Sequence, residues 1–281
     1  MHRQVKQELQ GDSGLIKIVR LRHLPRTVEM ARLAQVSVDT LGLDYTDIDL
    51  VLGKLLEVEY ELYLQKQQAL VDNFFEFADI DADPSKFPVV RAILDKFKLD
   101  VAAGINPTLA LKGINLIASS LADSNRQSRV SRSGSSLMHH LDYLLQKNGF
   151  RYRVDFQREF VLTNGCKLDF FFPDAANYLA EPKNCCAIAC QTTSNDRFRL
   201  TFAQMPNDTR NRACTAIGSA NFGLKLGPSS LTTQKLLEAK SEGVKFVIFE
   251  TAIDQRLKDS AAVMSYNDWF AELGALKAFW K

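Results

Sequence analysis

The chain has 281 residues, 46% of them hydrophobic and 24% charged. That is enough apolar content for a buried core and excludes wholesale disorder. Against 33 Asp and Glu stand 35 Lys and Arg, a net charge of +2, which excludes a histone-like polybasic chain but not a local basic cleft. The length suits one large domain or two modest ones. Met1–Glu8 is polar and leads into no apolar run, so a cytoplasmic location is expected. No segment approaches the ~18 apolar residues needed to span a bilayer, so no membrane partner is expected. The five cysteines, Cys166, Cys185, Cys186, Cys190 and Cys214, are odd in number and bunched, which predicts reduced thiols and not a disulfide framework.

Residues 1–124 read as a helical N-terminal region. Asp47 to Ala78 carries Leu50, Val51, Leu55, Val58, Leu62, Leu70, Val71, Phe74 and Phe75 at helical spacing. Asp81-Ala82-Asp83-Pro84 is a stop. Further helices are predicted over Phe87–Leu99 and from Pro107 to about Ala122. Ser124–Ser136 is small, polar and basic, and reads as a linker or as a loop against an anion.

Residues 125–281 read as an α/β domain. Leu137–Lys147 is helical and closes at Asn148-Gly149. Tyr152, Val154 and Phe156 alternate with Arg151, Arg153 and Asp155, predicting a strand. Phe160–Leu162 is a short strand, Asn164-Gly165 a hairpin turn, and Cys166–Phe172 a third strand. Cys185–Gln191 is apolar and suits a central strand buried on both faces. Asp196–Gln204 and Leu231–Glu242 read as helices, Val244–Glu250 as a buried strand, and Tyr266–Trp280 as a final helix. The order implies a mixed central sheet flanked by helices.

The basic residues are not evenly spread. From Arg126 to Arg158 there are seven Lys or Arg and two His against Asp142 and Asp155. Two elements in this half bear on chemistry. Asp169 sits on a strand after a hairpin, and about twenty residues later a buried strand ends in Cys190-Gln191. An acid and a polar group brought together at a sheet fork can hold a divalent ion and orient a water for phosphodiester cleavage. The following Thr192-Thr193-Ser194-Asn195-Asp196-Arg197-Phe198-Arg199 offers groups for phosphate and base edges, and equally reads as an N-cap leading into a helix. Zinc is not expected: adjacent Cys185 and Cys186 point to opposite faces of a strand, and no Cys-x2-Cys pair occurs. His139 and His140, about 100° apart on a helix, read as structural. Gly218–Gly223 lacks the context of a nucleotide-binding loop. Asn207, Arg210, Asn211 and Arg212 read as a polar loop, solvated or touching phosphate.

Across about Ser131–Leu273 the sequence resembles the catalytic domain of EcoRII-type restriction endonucleases. Ser131–Asp142 is similar to a block of form Arg-x-Gly-x-Ser-Leu-Glu-x-His-Leu-Glu. Leu168–Pro173 looks like Pro-Asp-Phe-x-Phe-Pro. Ala189–Arg199 resembles Ala-x-Lys-Thr-Thr-x-Lys-Asp-Arg-Trp-Arg, the most specific of the blocks, and Leu231–Phe249 is similar to a closing helix and strand. The resemblance implies a restriction-endonuclease-like fold, a homodimer, and Mg2+-dependent hydrolysis of double-stranded DNA at a site built on CC and GG. It makes Asp169 the metal ligand and places Asn195, Asp196, Arg197 and Arg199 where the bases are read. Arg132 falls where the family has its phosphate-facing arginine, and Arg129 of the same basic stretch is taken with it as a DNA-binding candidate.

Four departures fall on the chemistry. Gln191 stands at the catalytic Lys, Met138 at a helix Glu, Asn195 at a second Lys, and Gln204 about where a helix acid completes the metal site. Each removes a charge that hard-cation and phosphoryl chemistry uses. Two outcomes follow. Either Gln191 serves in place of the Lys, with Asp142 (one turn from Met138) or Asp174 as the second acid, or the chain binds DNA without cleaving it.

Overall fold

A computed structural model describes residues 2–105, 107–161, 165, 167–191, 211–216 and 231–280. They form two compact units, Met1–Met30 with Glu59–Arg132 and Ala31–Val58 with Ser133–Lys281. Among the described residues no helix is long and apolar enough to cross a membrane.

The helices of the N-terminal part are α1 (His2–Gln10), α2 (Leu15–His23), α3 (Thr27–Asp39), α4 (Ile48–Glu76), α5 (Pro88–Ala102) and α6 (Pro107–Lys147). In the first unit Val5, Leu9, Leu15, Val19, Leu70, Phe74, Val90, Leu94, Ile117 and Leu121 form one buried cluster. The predicted α4 and α5 are present, and the stop at Asp81–Pro84 follows a short π-helical turn, Phe77–Asp81.

The Ser124–Ser136 segment is neither linker nor loop: it lies inside the unbroken helix α6, as does residue 124, where the sequence divides in composition. Its polarity is absorbed by packing. Arg20 Nη2 donates to Ser124 Oγ at 2.9 Å and to Asn125 Oδ1 at 3.3 Å, and Ser133 and Ser136 are fully buried. Helix propensity penalties of a few tenths of a kcal/mol per Ser or Asn are easily outweighed by such partners.

The second unit holds a six-stranded sheet among the described residues, in order β1 to β6. The strands are β1 (Gln157–Val161), β2 (Lys167–Phe172), β3 (Cys186–Gln191), β4 (Asn211–Ala216), β5 (Val244–Ile248) and β6 (Val263–Ser265). β1, β2 and β3 pair antiparallel, whereas β3 through β6 run parallel. Helix α7 (Ala175–Ala180) follows β2, α8 (Thr233–Ser241) precedes β5, α9 (Gln255–Lys258) precedes β6, and α10 (Tyr266–Lys277) follows it. Leu168, Phe171, Ala187, Phe246 and Ile248 join one core cluster. Phe172 meets Phe156 and Trp269 at ring-centroid distances of 5.9 and 6.2 Å. The expected central strand is β3, and the predicted helix closures at Gly149 and Gly243 have φ +80° and +64°, which glycine adopts without a Cβ clash.

Three predicted elements need correction. Tyr152–Phe156 is a tight corner, and the strand begins at Gln157. The Asp155 carboxylate accepts from the Arg151 backbone N–H at 2.7 Å, a local bond that competes with extended structure. Asn211 and Arg212 begin strand β4 and are not a loop. Strand β6, three residues long, carries too little pattern to be read. The proposed hairpin residue Asn164 and the Asp196–Gln204 helix lie outside the described residues, as do Asn207, Arg210 and Gly218–Gly223.

Unit two is also stitched across a long stretch of sequence. Asn267 Oδ1 accepts from the Ile48 and Asp49 N–H groups at 2.7 and 3.2 Å, capping the start of α4. In return the Asp49 carboxylate accepts from the Asn267 and Glu250 N–H groups at 2.9 and 2.8 Å.

Candidate active site

Strand β2 brings Asp169 between two antiparallel neighbours. Its flanking residues Leu168 and Phe170 are buried, which fixes the strand's rotation and leaves Asp169 half-buried. The Cys190 N–H of β3 donates to Asp169 Oδ2 at 2.6 Å. Burial pushes the Asp169 carboxyl above its ordinary range. The Cys190 N–H and Lys167 pull against that shift, and Glu159 adds to it. Gln191, the last residue of β3, is half-buried and follows the donor Cys190 directly. Asp169 therefore touches β3 at the residue before Gln191.

The other expected acids are occupied. Asp142 accepts from Arg158 Nη1 at 2.8 Å and from Gln146 Nε2 at 2.8 Å. The Arg158 and Asp142 side chains are 22% and 17% exposed, and Arg158 Nη2 lies 3.4 Å from His139 Nδ1. Asp174 caps α7, accepting from the Asn177 N–H at 2.8 Å. His140 is fully buried and His139 only partly. Cys185, Cys186 and Cys190 are reduced, and burial pushes the Cys186 thiol up to about 12. Among the described residues no group of three or more His, Cys, Asp or Glu is placed to hold a metal ion.

Two charged residues beside Asp169 escaped the sequence reading. Lys167 Nζ donates to Glu159 Oε1 at 2.5 Å, with both side chains about half exposed. That bond holds the Glu159 carboxyl below its ordinary range. Glu159 has φ +53°, a left-handed conformation costing a non-glycine residue on the order of 1 kcal/mol or more. The signal that finds these residues is register. The pairs Arg158–Phe170 and Phe160–Leu168 bracket Glu159 and set it opposite Asp169.

Arg129 and Arg132 lie on α6 in the first unit. Arg132 Nη2 donates to the Pro25 carbonyl at 2.7 Å, and its guanidinium lies 5.7 Å from the Tyr63 ring centre. Arg132, Arg20, Ser124, Gln127, Ser128 and Ser131 line an open cleft of about 360 Å³. Burial pulls both guanidinium pKa values down, and each also feels Tyr63. Glu59 lies close enough to act on Arg132. Arg20 Nε is buried without a hydrogen-bond partner. Two guanidiniums, hydroxyls and no carboxylate in the lining make a surface suited to an oxyanion. The expected base readers Asn195, Asp196, Arg197 and Arg199, and Gln204, lie outside the described residues.

A mixed sheet whose antiparallel half presents an acid at a fork, flanked by helices, defines the restriction-endonuclease fold. Solved relatives of this fold align over nearly all of the chain. Metal-depleted Ecl18kI in complex with uncleaved, modified DNA matches with a TM-score of 0.71 at 13% identity, covering 96% of this chain and 85% of that one. A second complex, metal-depleted Ecl18kI with uncleaved DNA, gives 0.70 at 15% identity, covering 100% and 86%. A restriction endonuclease PspGI–substrate DNA complex gives 0.58 at 14%, covering 91% and 94%. The model of the EcoRII C-terminal family matches residues 110–260, more than half of the chain. The chain belongs to that family. No curated protein gives a significant match.

Proposed function

We propose that this protein is a type II restriction endonuclease that hydrolyses double-stranded DNA at a CC/GG-containing site, with Mg2+ and as a homodimer. The observation that carries this reading is Asp169 at the β2–β3 fork, in a family whose solved fold relatives are complexes with DNA. Its Oδ2 is held by a backbone N–H. Mg2+ commonly takes one or two carboxylates and fills its sphere with waters and substrate phosphate, so a sparse oxygen site fits it. When bound, the ion supplies Lewis-acid stabilisation of charge on the scissile phosphate. Asp169 holds the ion, and the Gln191 amide orients a water or a phosphate oxygen by hydrogen bonding. Arg129 and Arg132 face backbone phosphates, and Asn195, Asp196, Arg197 and Arg199 read base edges. Digestion of plasmid DNA in Mg2+ tests this: the wild type cuts at discrete sites and Asp169→Asn does not. Equal cutting by the variant refutes the assignment.

A second reading is a DNA-binding homologue that does not cleave. The Arg158 grip on Asp142 and the neutral Gln191 favour it. It predicts salt-dependent, sequence-selective gel shifts with no cutting in Mg2+ or Mn2+.

A further inference from the structure

Of the four charges that the family's pattern has and this sequence lacks, three belong to the cleavage site: a lysine at Gln191 and acids at Met138 and Gln204. Asp142, the nearest substitute on α6, is tied to Arg158 at 2.8 Å and is only 17% exposed. The replacements stand on the hairpin that carries Asp169. We propose that Glu159 of β1 is the second metal-binding acid and that Lys167 of β2 supplies the catalytic cation, so that the acid–acid–lysine set is rebuilt on one hairpin. This rests on the nuclease reading above.

Register is the first support. The ladder pairs Arg158 with Phe170 and Phe160 with Leu168, which leaves Glu159 opposite Asp169. Opposite positions on antiparallel strands are near neighbours, and with Glu159 off regular strand geometry it is the contact with Lys167 that fixes where its side chain turns. The β2–β3 ladder runs from Phe172–Cys186 to Phe170–Ile188, and beyond it the Asp169 carboxylate takes the Cys190 N–H, so Lys167 lies on β2 two residues from Asp169, on the open side of the fork. In the proposal the lysine stands on β2 and not on β3.

Convergence is the second. Lys167 Nζ and Glu159 Oε1 are 2.5 Å apart, so the two tips meet on the face that carries Asp169, whose carboxyl feels both charges. Both side chains remain about half exposed, accessible to an ion and to a phosphate, unlike Asp142. The third is backbone strain. Glu159 holds φ +53° in the middle of a ladder, a conformation that clusters at functional sites. The remaining charged groups acting on Glu159 are Arg158 and His139; Arg158 is held by Asp142, and His139 Nδ1 lies 3.4 Å from its guanidinium.

The chemistry is balanced without further reagents. A water oxygen forms a bond to phosphorus as the P–O3′ bond breaks. The proton lost by the water passes to solvent, and the leaving 3′ oxygen takes one from solvent. Glu159 adds a hard oxygen donor beside Asp169, and the Lys167 ammonium offsets charge on the phosphate oxygens, which a neutral amide at position 191 does more weakly.

The plain alternative is a cross-strand surface ion pair. Full-length wild type and variants are compared by Mn2+ titration calorimetry without DNA and by plasmid cleavage in Mg2+, with far-UV circular dichroism as the folding check. Glu159→Gln weakens Mn2+ binding at least tenfold. Lys167→Met keeps Mn2+ affinity within about threefold and lowers cleavage at least a hundredfold. Adding Gln191→Lys to Lys167→Met restores at least a tenth of the wild-type rate. The swapped Glu159→Lys/Lys167→Glu chain keeps the ion pair and the fold but does not cut. Glu57→Gln, which breaks a half-exposed pair with Lys54 on α4, changes neither readout. Wild-type Mn2+ affinity in Glu159→Gln, wild-type cutting by Lys167→Met, or cutting by the swapped chain overturns the proposal while leaving the nuclease reading intact. A wild type that neither binds Mn2+ nor cuts, yet shifts DNA, overturns both.

Discussion

Replacing Asp155 by Ala tests whether the corner before β1 is held by charge. The Asp155 side chain is 6% exposed and sits among four contacts. It accepts from the Arg151 N–H at 2.7 Å, Arg151 Nε at 3.2 Å, Arg151 Nη2 at 3.5 Å and Lys277 Nζ at 3.0 Å. Losing the charge-assisted backbone bond costs about 1.5–3 kcal/mol. The two cations are 70% and 34% exposed and rehydrate when freed, so each pair adds under about 1 kcal/mol. The total is roughly 3 kcal/mol, a fall of about 6–12 °C in Tm. Asp155→Asn keeps an oxygen for the Arg151 N–H and loses about half as much. Burial raises the Asp155 carboxyl, but the bonds from Arg151 and Lys277 outweigh it and leave the folded pKa below its ordinary value. A depressed carboxylate stabilises the fold fully above the unfolded pKa of about 4 and loses that contribution as pH falls through the folded value. The gap between wild type and Asp155→Asn, read by thermal melts, therefore narrows from pH 7 to pH 3. An equal gap at both pH values refutes an electrostatic origin.

Further outcomes are expected. Phe172→Ala, at a fully buried ring against Phe156 and Trp269, costs about 3–5 kcal/mol in urea melts. Tyr45 and Tyr143 both donate to Asp39; burial is the larger cause that pushes Tyr143 up to about 12 and Tyr45 higher still. Absorbance at the phenolate band then shows Tyr45 and Tyr143 still largely protonated at pH 11, read as the difference from the Tyr45→Phe/Tyr143→Phe chain. Because these folded pKa values are raised, the hydrogen bonds' contribution is whole below pH 10 and decays above it. In the first unit, Arg20→Ala is expected to lower DNA affinity severalfold at low salt and to flatten the salt dependence by about one counterion. An unchanged slope removes the cleft from the DNA path.

The sequence carried the elements whose burial has a clear period. α4 repeats apolar residues at helical spacing, and β2, β3 and β5 are dense enough in apolar residues to be recognised as buried strands. It did not carry α6 through Ser124–Ser136, because those polar side chains become helical only when Arg20 answers Ser124 and Asn125. It did not carry the Arg151–Phe156 corner, since alternation there coexists with an acid that turns the backbone back on itself. In the site, Asp169 stood out because strand and resemblance agree on it. The hold of Arg158 on Asp142, and the meeting of Glu159 with Lys167, depend on which residues face each other across strands and helices. That information resides in pairing and not in any one segment.

The reciprocal caps between Asp49 and Asn267 set an order of events during synthesis. The bond partners Ile48 and Asn267 are 219 residues apart. At roughly 5–20 residues per second a ribosome takes about 10–40 s between making one and making the other. Until then the Ile48 and Asp49 N–H groups lack the Asn267 acceptor, and Asp49 has neither the Glu250 nor the Asn267 N–H to bind. The second unit thus closes only after nearly the whole chain has emerged. A chain broken off before residue 267 keeps most of the sheet sequence and α6, but its α4 start is left with the local acceptors of Asp47 alone, a weaker end that cellular proteases can open.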